Sequence, residues 1–253
     1  MPRIEKLVFS NEHGQQLSAR LDMPDGEVRA YALLAHCFTC NKSLKAAGHI
    51  TKGLLEQGIA VFRFDFTGLG ESQGDFSETN FTTNVQDILS AANFMAQQGY
   101  VVNILVGHSL GGTAVLKAAG LIESVQAVVT IASPASPSHV AEQFSDAKKK
   151  IAAHGEASVV LAGRNFTIKQ QFIDDLEASS VMADVRQLKK ALLVMHAPLD
   201  ETVGIENAAI IFQTAHHPKS YISLDQADHL LSQVSDARYV GQLIATWAER
   251  YLN

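Results

Sequence analysis

A chain of 253 residues, 47% apolar and 18% charged, can bury a large core and is not a disordered polymer. Its formal charge is −6 and its only lysine run, Lys148-Lys149-Lys150, is a solvated helix face, which argues against nucleic acid as the main partner. No segment approaches the roughly 18 apolar residues of a membrane span, no signal-peptide core follows Met1, and two cysteines make no disulfide framework, so a cytoplasmic setting with reduced thiols is expected.

Taken in chain order, residues 6–10 and 17–22 alternate in apolar character around His13-Gly14 and predict a hairpin. Continuous apolar runs follow at 31–35, 59–64, 102–106, 125–131, 191–195 and 220–224, the signature of strands covered on both faces. Between them, 44–57, 83–97, 110–121, 205–214 and 230–251 carry apolar residues at helical spacing. The alternation predicts an α/β fold with a mostly parallel sheet flanked by helices, in one domain over 1–253.

One stretch, 134–188, is too long for a single crossover. Val140, Phe144, Ala147 and Ile151 predict an amphipathic helix, 158–162 and 166–169 a short hairpin around Gly163-Arg164-Asn165, and Phe172, Ile173 and Leu176 a further helix. A lid-like insertion over the carboxyl edge of the sheet is expected, where ligands of open α/β sheets bind.

The most informative stretch is VNILVGHSLGGTAVLKAAG. A buried strand runs into Gly107-His108-Ser109-Leu110-Gly111-Gly112 and a helix follows at once, which is G-x-S-x-G in its required context. The turn would hold the Ser109 hydroxyl clear of the sheet, and the amide of Leu110 would face the developing negative charge. A serine needs a base, and a base needs an orienting acid. Asp200 lies just past a strand end and His229 in the loop after the last strand, so the order Ser, acid, His is met. Asp225 and Asp228 rank below Asp200, and His13, His49, His108, His154, His216 and His217 lack the placement of His229.

These residues resemble the α/β-hydrolases, over nearly the whole chain from about Leu17. The segment LLAHCFTCNKS is similar to the oxyanion loop, VFRFDFTGLGES to the Asp-x-x-Gly-x-Gly-x-Ser turn at Asp65, Gly68, Gly70 and Ser72, HAPLDETV to the acid loop and ADHLL to the histidine loop. The resemblance implies an oxyanion hole made by the amides of Phe38 and Leu110, no metal and no cofactor. Within the superfamily the chain is similar to the serine-hydrolase domain of bacterial proteins fused to an OsmC-like domain. The chain ends at Asn253, so that domain is expected to be absent or a separate partner. Cys37 stands where Gly is usual, as does Ala197, and Gly204 stands where Pro is usual.

The expected activity is that of a serine carboxylesterase acting on small to medium acyl or aryl esters, with Phe144, Phe166 and Phe172 of the insertion as candidate substrate-binding residues. Two alternatives stay open: a ligand-binding sensor with little turnover, and a thiol redox protein using Cys37 and Cys40, which otherwise read as small packing residues. No pattern encodes the oligomeric state, and a homodimer stays open.

Overall fold

The computed structural model describes residues 3–161 and 163–252. Ala162, the last residue of the predicted strand 158–162, and Asn253 lie outside the described residues. The predicted hairpin forms from β1 (Arg3–Ser10) and β2 (Gln16–Met23). Its turn is closed by the Asn11 side-chain oxygen, which accepts from the His13 and Gln15 amides at 3.0 Å.

Strand and helix then alternate as β3 (Ala30–Ala35), α1 (Lys45–Leu55), β4 (Ile59–Phe64), α2 (Phe81–Gln97), β5 (Val102–His108), α3 (Leu110–Ala118) and β6 (Ala127–Ile131). α2 begins at a reciprocal cap. The Asn80 side chain accepts from the Thr83 amide at 2.9 Å, and the Thr83 hydroxyl accepts from the Asn80 amide at 2.8 Å.

The insertion follows. A 3-10 segment, Pro137–Ala147, leads into α4 (Lys148–His154), β7 (Glu156–Leu161), β8 (Arg164–Lys169), α5 (Gln170–Ala178) and α6 (Met182–Gln187). The helix predicted through Val140, Phe144, Ala147 and Ile151 is thus broken. Phe144 has φ −133° and ψ 30°, and the α-helix begins only at Lys148. Ser145 and Asp146, poor helix interior residues, stand at the break. β9 (Ala191–His196), α7 (Glu206–Thr214), β10 (Lys219–Ser223) and α8 (Val234–Ala248) complete the chain. α8 starts four residues later than the predicted 230, because the preceding residues stay in a loop in which Leu231 has φ 51°.

Among the described residues, eight strands form one sheet in the order β1-β2-β4-β3-β5-β6-β9-β10. β1, β2 and β4 pair antiparallel, β4, β3, β5, β6, β9 and β10 pair parallel in that order, and β7 and β8 form a separate antiparallel pair. Successive side chains of β5 feed opposite layers: Leu105 joins the core under α2, α3, α7 and the insertion, while Ile104 and Val106 join the core under α1 and α8. The parallel strands therefore need both faces apolar, which is why their sequences are unbroken apolar runs. Their carboxyl ends converge on one edge, and the insertion packs beside it. No helix among the described residues is long and apolar enough to cross a membrane.

Candidate active site

β5 ends at His108 and α3 starts at Leu110, leaving Ser109 as the whole turn. Its backbone has φ 56° and ψ −128°, a strained conformation for a residue with a side chain. The close approach of neighbouring backbone explains the flanking glycines. A Cβ at Gly107 would lie 2.4 Å from the Gly111 carbonyl oxygen, and one at Gly111 would lie 2.4 Å from that of His36.

His229 bridges the serine and the acid. Its Nε2 lies 3.1 Å from Ser109 Oγ and its Nδ1 lies 2.8 Å from Asp200 Oδ2. The other carboxylate oxygen of Asp200 accepts from the Thr202 and Val203 amides at 2.9 Å. Burial alone would raise the Asp200 carboxyl, but the hydrogen bonds from His229, Val203 and Thr202 outweigh it and hold the group below its ordinary value. A carboxylate kept ionised there fixes the imidazole with Nδ1 protonated, leaving Nε2 free to accept from the serine hydroxyl. Asp228, by contrast, accepts from the Ser232 amide at 2.8 Å, and Asp225 accepts from the Ser223 hydroxyl.

Opposite the serine runs the loop after β3. Among the described residues, no hydrogen bond reaches the amides of Phe38 or Leu110. The loop is held at both ends. At its start, His36 Nδ1 donates to the Cys37 carbonyl at 2.8 Å and its Nε2 accepts from the Phe66 amide at 3.3 Å. At its end, Lys42 is buried with its ammonium 2.6 Å from both Asp65 and Glu71, and its amide donates to Asp65 at 2.6 Å. Arg63 adds a bond to the Lys42 carbonyl at 2.9 Å.

The structure corrects the expectation of reduced thiols. Cys37 and Cys40 form a disulfide, within a turn whose Cys40 amide donates to the Cys37 carbonyl at 3.1 Å. The spacing of a tight turn brings the two sulfurs within bonding reach, so the pair is a cross-link and not two separate packing residues. Phe38 and Thr39 are the residues it encloses, and Thr39 has φ 60°.

The structure also places the three insertion aromatics away from the cavity at Ser109. Phe172 is buried against Phe38 (ring centroids 5.6 Å apart) and Phe144 (6.2 Å), and Phe166 packs on Phe76 at 4.7 Å. They form a cluster that fastens the insertion to the loop after β3, as apolar rings do when a core is near. Of that cluster, Phe38 faces the cavity, which has a volume of about 690 Å³ and also reaches Ser109, His229, Leu230 and Leu44.

Two further buried histidines hold main-chain carbonyls, a role for which neither the position of His108 beside Ser109 nor that of His196 at a strand end gives a signal. His108 lies 2.7 Å through Nε2 from the His229 carbonyl, and His196 lies 2.8 Å through Nε2 from the Val203 carbonyl. Burial, followed by the neighbouring His229, lowers His108 to about 4, and burial lowers His36 to about 4 and also depresses His196. All three are therefore neutral donors that tether main-chain carbonyls near the site. In sequence all three have only a position, the residue before the serine or the ends of β3 and β9, and no mark of this role.

Residues 26–155 match the model of a family described as serine aminopeptidase, S33. The esterase domain of a Rhodothermus marinus protein is 46% identical, with a TM-score of 0.80 over 99% of this chain and 100% of that one. Est1E from Butyrivibrio proteoclasticus, in its structure with ferulic acid, is 20% identical with a TM-score of 0.82 over 97% of this chain and 98% of that one, a likeness of fold. The mitochondrial palmitoyl-protein thioesterase ABHD10 of Mus musculus is 27% identical over 71% of this chain, which spans 62% of that protein.

Proposed function

The chain belongs to the α/β-hydrolase superfamily, and from that premise we propose that it is a serine esterase in which Ser109 is the nucleophile, His229 the general base and Asp200 the orienting acid. The observation that carries the reading is the position of His229, within hydrogen-bond distance of Ser109 on one side and Asp200 on the other.

The reaction follows from the atoms present. His229 Nε2 takes the Ser109 proton as Oγ bonds to the ester carbonyl carbon. The carbonyl oxygen becomes an oxyanion that accepts from the amides of Leu110 and Phe38, both free for it. The imidazolium, stabilised by Asp200, returns the proton to the leaving alkoxide, and an acyl-enzyme remains. Water enters and gives a proton to His229 as its oxygen bonds to the acyl carbon; the bond from that carbon to Ser109 Oγ then breaks, Oγ takes the proton back from His229, and the acid leaves.

Ester specificity is supported by the 46% identity to an esterase domain, and a cavity of about 690 Å³ suits small to medium acyl or aryl groups. The thioesterase relative keeps thioesters within the same chemistry. The cytoplasmic setting expected from reduced thiols loses that support, because Cys37 and Cys40 are joined. The test is a panel of 4-nitrophenyl esters from acetate to octanoate, with an aryl ester, an acyl thioester and an aminoacyl anilide. Wild type is expected to cleave the esters, and Ser109→Ala to fall to background. Equal rates for the two proteins would remove the mechanism, and anilide cleavage without ester cleavage would remove the ester specificity. Stoichiometric binding without turnover would turn the reading to a sensor.

A further inference from the structure

The cavity at Ser109 carries a charge pattern that the hydrolytic steps do not use. Two cations line it: Lys45, the first residue of α1, and Arg164, the first residue of β8. Among the described residues no aspartate or glutamate lines it, although acids outnumber bases 26 to 20 in the chain. Lys42 is placed differently from these two cations. That ammonium is buried and matched by two carboxylates, Asp65 and Glu71. Among the described residues, Lys45 and Arg164 have no carboxylate partner. The carboxylate of Asp200 is fully buried and committed to His229, Thr202 and Val203, so it does not face a ligand.

Arg164 is held in place by neutral partners. Its Nη2 donates to the Thr39 carbonyl, and its guanidinium carbon lies 5.2 Å from the Phe166 ring centroid. A guanidinium has five N–H donors in a planar fork, and the Thr39 bond leaves others open. Lys45 begins a helix with no side-chain cap and no acid in its first turn, so the helix amides add potential of the same sign. A surface that gathers unpaired positive charge in an acidic protein, beside the nucleophile, raises the local concentration of anions.

We infer that the site selects esters bearing a carboxylate, in the acyl chain or in the alcohol, and that Arg164 and Lys45 are its specificity-determining residues. This rests on the esterase reading above. The carboxylate accepts charge-assisted bonds from the Arg164 fork while the ester carbonyl sits at Ser109, and Lys45 contributes longer-range attraction.

The test uses two matched pairs: 4-nitrophenyl hydrogen adipate against its neutral methyl ester, and 4-acetoxybenzoate against methyl 4-acetoxybenzoate. Wild type should favour the anionic member of at least one pair by about 10-fold in kcat/KM at low salt, less at high salt. Arg164→Gln and Lys45→Gln should each reduce that ratio and the double variant abolish it, the ratio being taken within each variant so that a change in turnover common to both members of a pair cancels. Arg164→Lys should restore part of the preference, which a purely structural anchor for the insertion would not show. Wild type favouring the neutral member of both pairs, or a preference that survives in the double variant, overturns the inference while leaving the esterase reading intact. If no ester is cleaved, the esterase reading fails by itself. Calorimetric binding of adipate then decides: binding lost in the double variant upholds the anion site, and no binding to wild type removes it.

Discussion

His108 donates from Nε2 to the main-chain carbonyl of His229 across 2.7 Å, so the residue before the proposed nucleophile holds the loop of the proposed base. The two loops are thereby joined twice, once at the back through this bond and once at the front through His229 Nε2 and Ser109 Oγ. In the proposed reaction the front contact passes a proton, and the back contact takes no part in that transfer. It fixes where the imidazole stands.

Replacing His108 by Phe keeps a buried ring but removes the donor and leaves the His229 carbonyl without it. The base would drift, and a displacement of about 1 Å costs on the order of 100-fold in rate. A fall in kcat of about 10- to 100-fold with little change in KM is expected for His108→Phe, with partial recovery in His108→Gln, whose amide donates from a similar reach. Steady-state kinetics on a short acyl ester checks this. An unchanged kcat in the Phe variant removes the tether.

Asp65 joins the end of β4 to the far end of the loop after β3, through the Lys42 amide and ammonium and the Glu71 amide. Asp65→Asn leaves the Lys42 ammonium buried with only the exposed Glu71 as ionic partner. Breaking a buried pair from one side costs about 3–5 kcal/mol. Urea unfolding should show a loss of that order, and Lys42→Met in the same background should recover part of it. A loss below about 1 kcal/mol, as for a surface pair, would contradict the buried-pair account.

Much of this site is legible in the sequence for a local reason. Gly107, Ser109 and Gly111 form a turn so tight that only those residue types fit, and the strand before and helix after are strongly patterned. Asp200 and His229 are legible through order, since parallel strands put every following loop on one edge. The disulfide is not legible, because Cys-x-x-Cys spacing is shared by dithiols, metal ligands and cross-links. Phe144, Phe166 and Phe172 are not either: an apolar residue shows that it is buried, but not whether it meets a ligand or another ring. Arg164 reads as a turn residue in a hairpin until the fold brings that hairpin against the loop after β3.

The buried histidines set a pH dependence of stability. His36 and His108 titrate near 4 in the folded chain against 6.5 when unfolded, chiefly through burial. Above about pH 6.5 both states are neutral and the groups contribute nothing to the slope. Below it the unfolded chain takes up protons that the folded chain refuses, so stability falls as pH falls from about 6.5 to about 4. Each group accounts for about 3 kcal/mol over that window. The buried Asp87, raised mainly by desolvation, opposes part of this at the acidic end. Urea unfolding at about pH 7, 5.5 and 4.5 measures it, and His108→Phe should flatten the slope by up to about 1.4 kcal/mol per pH unit. Equal stability at all three values would contradict the neutral buried imidazoles.

The disulfide predicts an activity effect larger than its stability effect. It closes so short a loop that cross-linking constrains the unfolded chain by only about 2 kcal/mol. In the folded chain, however, it encloses Phe38, whose amide is the proposed second oxyanion donor. Losing such a donor outright costs about 100- to 1000-fold, so loosening it costs less. The variant with Cys37→Ser and Cys40→Ser should keep most of its thermal stability while kcat falls about 10-fold, and reduction of the wild type by a dithiol should do the same. Thiol titration of the unfolded, unreduced wild type should find no free thiol. Two free thiols there would remove the cross-link, and a kcat unchanged in the double variant would show that Lys42, Asp65 and His36 hold the loop without it.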